Sequence, residues 1–171
     1  NFREIPQRKT DMKPVSDQDR DDIWLSNPSL SKRGAYSIRP SDIRNFLLGG
    51  RCTWNLAFSN NQIVRRDILG DLTKCALEGG IYALTGPGGE GKTTALMQLC
   101  AHLVQKRVPV FYYRGYGAVK QPEDIPKNSV FVLDNPPDTL AFKRFLYNMI
   151  DEGLTLILGA RENEWNLLKQ S

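Results

Sequence analysis

The octet Gly86-Pro87-Gly88-Gly89-Glu90-Gly91-Lys92-Thr93 has the form GxxxxGK[ST], and its residue types suit one task, the wrapping of a chain of phosphates. Glycines let the backbone curl until successive N–H groups face an anion, and a helix that starts at the loop adds the positive end of its dipole. Lys92 brings a point charge for the β and γ phosphates, the Thr93 hydroxyl brings an oxygen for Mg²⁺, and Thr94 closes the segment. A metal held on a polyphosphate also needs an acid. Val130-Phe131-Val132-Leu133-Asp134 offers four apolar residues for a buried strand with Asp134 at its carboxyl end, the edge where open α/β sheets take their ligands. The next residue is Asn135, whose amide cannot accept a proton from water, so no general base for hydrolysis stands there. Arg161 closes another apolar run, and in a parallel sheet it emerges beside the phosphate loop, where a guanidinium can read a γ phosphate. Taken singly, Asp134 reads as well as the start of a turn before Pro136–Pro137, and Arg161 as a solvated strand end. The phosphate loop tips both toward a site.

Those residues need a scaffold, and the apolar pattern supplies one. Ile81–Thr85 reads as a strand leading into the loop, and the residues after it place Leu96, Leu99, Cys100, Leu103 and Val104 on one helical face. Val108–Tyr113, Val130–Leu133 and Leu154–Leu158 read as further strands, with a helix over Thr139–Ile150 between the last two. Strands alternating with helices predict an α/β fold built on a parallel sheet. Upstream, Ile63–Leu77 has helical spacing and is stopped by Gly79–Gly80, and Ser41–Leu48 predicts a short helix capped by Ser41. Residues 115–129 carry Pro122 and Pro126 and read as loop. Residues 1–50 are polar and broken by prolines, so the expected organisation is a linker or irregular arm over 1–50 and a nucleotide-binding domain over 51–171.

Composition narrows the class. The chain has 171 residues, 40% hydrophobic and 25% charged, which suits one globular domain and excludes wholesale disorder. Its net charge of +4 is spread thinly along the chain, so a nucleic-acid-binding face is not indicated. Arg114-Gly115-Tyr116-Gly117-Ala118-Val119 imitates part of an RNA-binding motif, but Ala118 and Gln121 stand where stacking aromatics belong; Phe111, Tyr112 and Tyr113 read better as strand packing. Cys52, Cys75 and Cys100 are far apart and lack a CxxC spacing, which disfavours disulfides or zinc and suits a reducing cytoplasm. His102, the only histidine, reads as a surface or satisfied side chain. No run approaches the length of a membrane span. The first residue is Asn1, and nothing after Arg161 reads as another strand, so we expect a piece of a longer chain.

With these motifs in place the chain resembles the STAND nucleotidases, signal-transduction ATPases related to the NB-ARC, NACHT and AAA+ domains. The resemblance runs from about Trp54 to Trp165 and rests on Val64-Arg65-Arg66-Asp67, the phosphate loop, Leu133-Asp134 and Leu158-Gly159-Ala160-Arg161-Glu162-Asn163-Glu164-Trp165. It implies a P-loop NTPase three-layer parallel sheet of the ASCE/AAA+ kind, incomplete at the C-terminus for want of a fifth strand and lid. It also implies a base-side contact from Arg66, with Arg65 as the alternate, and a phosphate-sensing role for Arg161. The pairing of Thr53-Trp54 with Arg161-Glu162-Asn163 is most similar to the large prokaryotic STAND proteins of antiphage defence. From it follow the expected cofactors, ATP and Mg²⁺, and the expected partners, namely other copies of the full-length protein and effector and sensor domains in the same polypeptide. The expected function is a slowly hydrolysing ATP switch that controls oligomerisation. The alternatives are an AAA+ ATPase acting on nucleic acid and a nucleotide-binding module without turnover.

Overall fold

Side-chain alternation along three apolar strands decides how the chain layers. The computed structural model describes residues 38–59, 67–114, 125–136 and 140–169. In it β1 (Ile81–Thr85), β2 (Val110–Arg114), β3 (Val130–Asp134) and β4 (Thr155–Ala160) form one parallel sheet in the order β1-β4-β3-β2. β3 and β4 are buried at every position, as central strands covered on both faces must be.

One face of the sheet, with Val110, Tyr112, Val130, Val132 and Ile157, packs on helices α2 (Trp54–Phe58), α3 (Leu69–Glu78) and α4 (Lys92–Gln105). The other, with Phe111, Tyr113, Phe131, Leu133, Leu156 and Leu158, packs on Phe142, Phe145 and Met149 of α5 (Leu140–Asp151) and on Trp165 of α6 (Glu162–Lys169). The rings of Phe111 and Phe131, neighbours in register, stack with centroids 4.8 Å apart. The result is an α/β domain in which helices cover both faces of a four-stranded parallel sheet. No helix among the described residues is long and apolar enough to cross a membrane.

Several boundaries differ from expectation, each for a local reason. β2 starts at Val110 and not at residue 108, because Pro109 has no N–H for the ladder; its carbonyl instead accepts from the Val130 N–H at 2.9 Å. The upstream helix begins at Leu69, with Asp67 and Ile68 in a turn before it. Helix α1 spans Pro40–Leu47, so Arg39 and not Ser41 is its cap: the Asp42 carboxylate accepts from the Arg39 N–H at 3.1 Å, and Pro40 fits the first turn. Ile43 and Phe46 of α1 pack against the core. α4 is more than a one-sided amphipathic helix. Every residue from Ala95 to Ala101 is buried, Gln98 included, because α2 and α3 cover the side turned away from the sheet.

Candidate functional site

The phosphate loop joins β1 to α4 at the carboxyl edge of the sheet. Gly91, the cap residue just before α4, has φ 80 and ψ 23, a left-handed conformation that costs an L side chain roughly 1–2 kcal/mol and glycine almost nothing. A Cβ on Gly86 would stand 2.5 Å from Oε2 of Glu90, and one on Gly88 would come within 3.9 Å of Nη2 of Arg161. Glycine at 86 thus leaves room for the Glu90 carboxylate, while a side chain at 88 would meet Arg161 only in ordinary contact. Lys92 Nζ donates to the Gly86 carbonyl at 2.7 Å and to the Pro87 carbonyl at 2.6 Å. Two of its three N–H donors clasp the loop, and the third remains for an acceptor of another kind.

One turn into the site, the Thr93 hydroxyl donates to Oδ2 of Asp134 at 2.7 Å. Asp134 is 5% exposed, so its carboxylate depends on such donors to stay charged away from water. The Tyr112 hydroxyl reaches the same oxygen at 3.2 Å. The register explains why: Tyr112 pairs with Val132, so Asp134, two residues further along β3, is its diagonal neighbour on the same face. Gly159 pairs with Asp134 on the other side. Its Cβ, were there one, would sit 2.5 Å from Cδ1 of Leu96 and 3.2 Å from Oδ1 of Asp134. Burial pushes the Cys100 thiol well above its ordinary value of 9.0, and the negative charge of Asp134 pushes it further. Asn135 then turns the chain out of the sheet at φ 60, a conformation asparagine tolerates better than most residues, and its N–H donates to the Gly159 carbonyl at 2.8 Å.

Arg161 emerges at the same edge. It lines an open cleft of about 430 Å³ with Gly86, Pro87, Glu162, Asn163 and Asn166. Its backbone N–H donates to Glu164 Oε2 at 2.9 Å, its Nε lies 3.9 Å from Glu164 Oε1, and its side chain is 63% exposed. Of the residues singled out in the sequence, the structure therefore brings together Gly86, Pro87, Gly88, Lys92, Thr93, Asp134 and Arg161, while Arg65 and Arg66 lie outside the described residues. Among the latter no three His, Cys, Asp or Glu side chains gather as a metal centre. Asp134 and Thr93 offer a carboxylate and a hydroxyl, hard oxygen donors of the kind Mg²⁺ accepts beside phosphate oxygens and water.

The family described as novel STAND NTPase 5 matches residues 44–171. The chain belongs to that family. No match was found among curated proteins or among solved structures. As a STAND NTPase the chain is a nucleotide-binding NTPase module, and the matched stretch takes in the loop, Thr93, Asp134 and Arg161. Two residues of this STAND domain escape a sequence reading of the site. Tyr112 reads as core because it sits in an apolar strand; the available signal is its hydroxyl, which needs a partner once buried. Gly159 reads as one residue of a strand end, and the signal is a glycine inside an otherwise bulky buried strand.

Proposed function

We propose that the chain is the ATP-binding switch domain of a larger signal-transduction or defence protein, in which ATP with Mg²⁺ holds an assembly-competent state and slow hydrolysis resets it. The observation that carries this reading is the hydrogen bond from the half-buried Thr93 hydroxyl to the buried Asp134 carboxylate at 2.7 Å, next to a loop clasped by Lys92. A hydroxyl, a carboxylate and an ammonium converge where a polyphosphate and its cation would need them. Strand order β1-β4-β3-β2, in which β4 lies between the loop strand and the strand that carries Asp134, supports the P-loop layout of the ASCE kind.

Each residue has a task. Gly86–Thr94 wrap the phosphates, with Lys92 as countercharge; Thr93 and Asp134 would hold Mg²⁺, directly or through water. When bound, the ion neutralises charge that builds up on the phosphates. Arg161, which lines the cleft with Gly86 and Pro87, would sense a third phosphate. Asn135 supports a slow reset, because its side chain carries no base. Such a nucleotide-held switch belongs to the repertoire in which γ-phosphate contacts order one state and hydrolysis releases it.

Calorimetric titration with ATP and Mg²⁺ tests the binding step. Lys92→Ala is expected to lose the greater part of the affinity, and near-wild-type affinity for that variant would refute the phosphate-loop assignment. Steady-state ATPase assays with and without DNA test the rest, with slow turnover indifferent to DNA expected. Stimulation by DNA would favour a nucleic-acid motor, and binding with zero turnover would favour a pure nucleotide-binding module, which the amide at Asn135 also fits.

A further inference from the structure

We infer that Tyr112 is a positioning residue for Asp134, and that through Trp54 it ties helix α2 to the metal side of the nucleotide site; the inference rests on the nucleotide reading above. The Tyr112 hydroxyl donates to Oδ2 of Asp134 at 3.2 Å, the oxygen that also receives Thr93 at 2.7 Å. Tyr112 and Asp134 are 4% and 5% exposed, so this bond forms in a setting where hydrogen bonds to a charged group are strong and losing one is costly.

The ring of Tyr112 is itself fixed. Trp54 meets it edge to face, centroids 4.8 Å apart and planes at 85°, a preferred geometry for aromatic pairs. Trp54 is 5% exposed and opens α2, whose first turn is held by Thr53: its side-chain oxygen accepts from the Leu56 N–H at 3.4 Å. Capped helix, indole, phenol and carboxylate thus form a continuous chain of contacts to Thr93 and the loop.

A buried carboxylate with two hydroxyl donors on one oxygen has its orientation fixed before any cation arrives. Thr93 has a competing duty, since its oxygen is the one a loop-bound cation would use. Tyr112 donates to the same oxygen from β2 and carries no such duty, so its bond can keep Asp134 in place when Thr93 adjusts. Tyr112 is thus a positioning residue that acts through Asp134.

The test is a double-mutant cycle on the full chain, read as ATP affinity in excess Mg²⁺ and in EDTA. Tyr112→Phe keeps the ring against Trp54 and removes only the hydroxyl. Its affinity in EDTA is expected to stay within about twofold of wild type, which also shows that the fold survives, while the gain in affinity conferred by Mg²⁺ falls roughly tenfold, the size of one lost hydrogen bond to a charged group. In the Asp134→Ala background, Tyr112→Phe is expected to have no further effect, because the group it positions is gone. Equal losses with and without metal, no loss in either, or effects that add to those of Asp134→Ala would each overturn the inference while leaving the nucleotide site intact. Failure of the wild-type chain to bind ATP at all would overturn the nucleotide reading and this inference with it.

Discussion

Gly159→Ala puts one methyl group at the junction of core and site. The added Cβ would lie 2.5 Å from Cδ1 of Leu96 and 3.2 Å from Oδ1 of Asp134. Leu96 is completely buried on a helix walled in by α2 and α3, so its methyl cannot swing into solvent. Overpacking of this kind costs about 1–3 kcal/mol, which for a chain of this size lowers the melting temperature by roughly 2–4 °C per kcal/mol. The second contact predicts a separate loss: displacement of Asp134 weakens the Mg²⁺-dependent part of ATP binding and spares the part measured in EDTA. Urea unfolding at pH 7 and calorimetry on the same variant read the two effects independently. Leu96→Val supplies the internal control. It should cost less in the Gly159→Ala background than in the wild type, because there it also relieves the clash. Strict additivity of the two substitutions, or an alanine variant as stable as wild type, would show that the close packing around residue 159 is not what excludes a side chain there.

Three further outcomes are expected. Arg161→Ala should lower the preference for ATP over ADP by about tenfold, the scale of one charge-assisted contact, while changing ADP affinity little; paired ATP and ADP titrations read the ratio, and an unchanged ratio makes Arg161 a solvated strand end. Asn135→Val should destabilise the fold by roughly 1–2 kcal/mol through its left-handed backbone, whereas Asn135→Gly should be nearly neutral; denaturant midpoints for the pair decide it, and equal losses would point to the side chain. The Cys100 thiol keeps its proton in the folded chain at a pH where the unfolded chain has released it. Stability present at neutral pH should therefore fall as pH rises past about 9, by up to about 1.4 kcal/mol per pH unit, and Cys100→Ala should remove that component. Parallel stability curves for wild type and variant between pH 8 and 11 would refute the assignment.

The strands, the loop and its helix were legible because each announces itself within a few residues. Val130–Asp134 is apolar without a break, and GxxxxGK[ST] fixes its own backbone. The lateral order of strands was not: β4 lies between β1 and β3 although β3 precedes it in the chain, and no periodicity encodes which strand lies beside which. Helix α2 is five residues long, too short for a 3.6-residue period to show. α6 begins directly after Arg161, where the sequence reads as a strand-end motif. For the site, Thr93 and Asp134 were legible as types and their contact was not, since 41 residues separate them. Tyr112 was hidden for the same reason; its place beside Asp134 exists only once the β2–β3 register is set.

The clasp that Lys92 makes on the carbonyls of Gly86 and Pro87 joins an ion to dipoles, not an ion to an ion. Dissolved salt weakens attraction between separated charges over a Debye length of about 8 Å at physiological ionic strength, and affects a contact hydrogen bond much less. The loop should consequently keep its shape in concentrated salt while its hold on a polyphosphate declines. A fall in nucleotide affinity with ionic strength would then measure the ligand's charge against the loop, and the loop's own order would be the constant in that experiment.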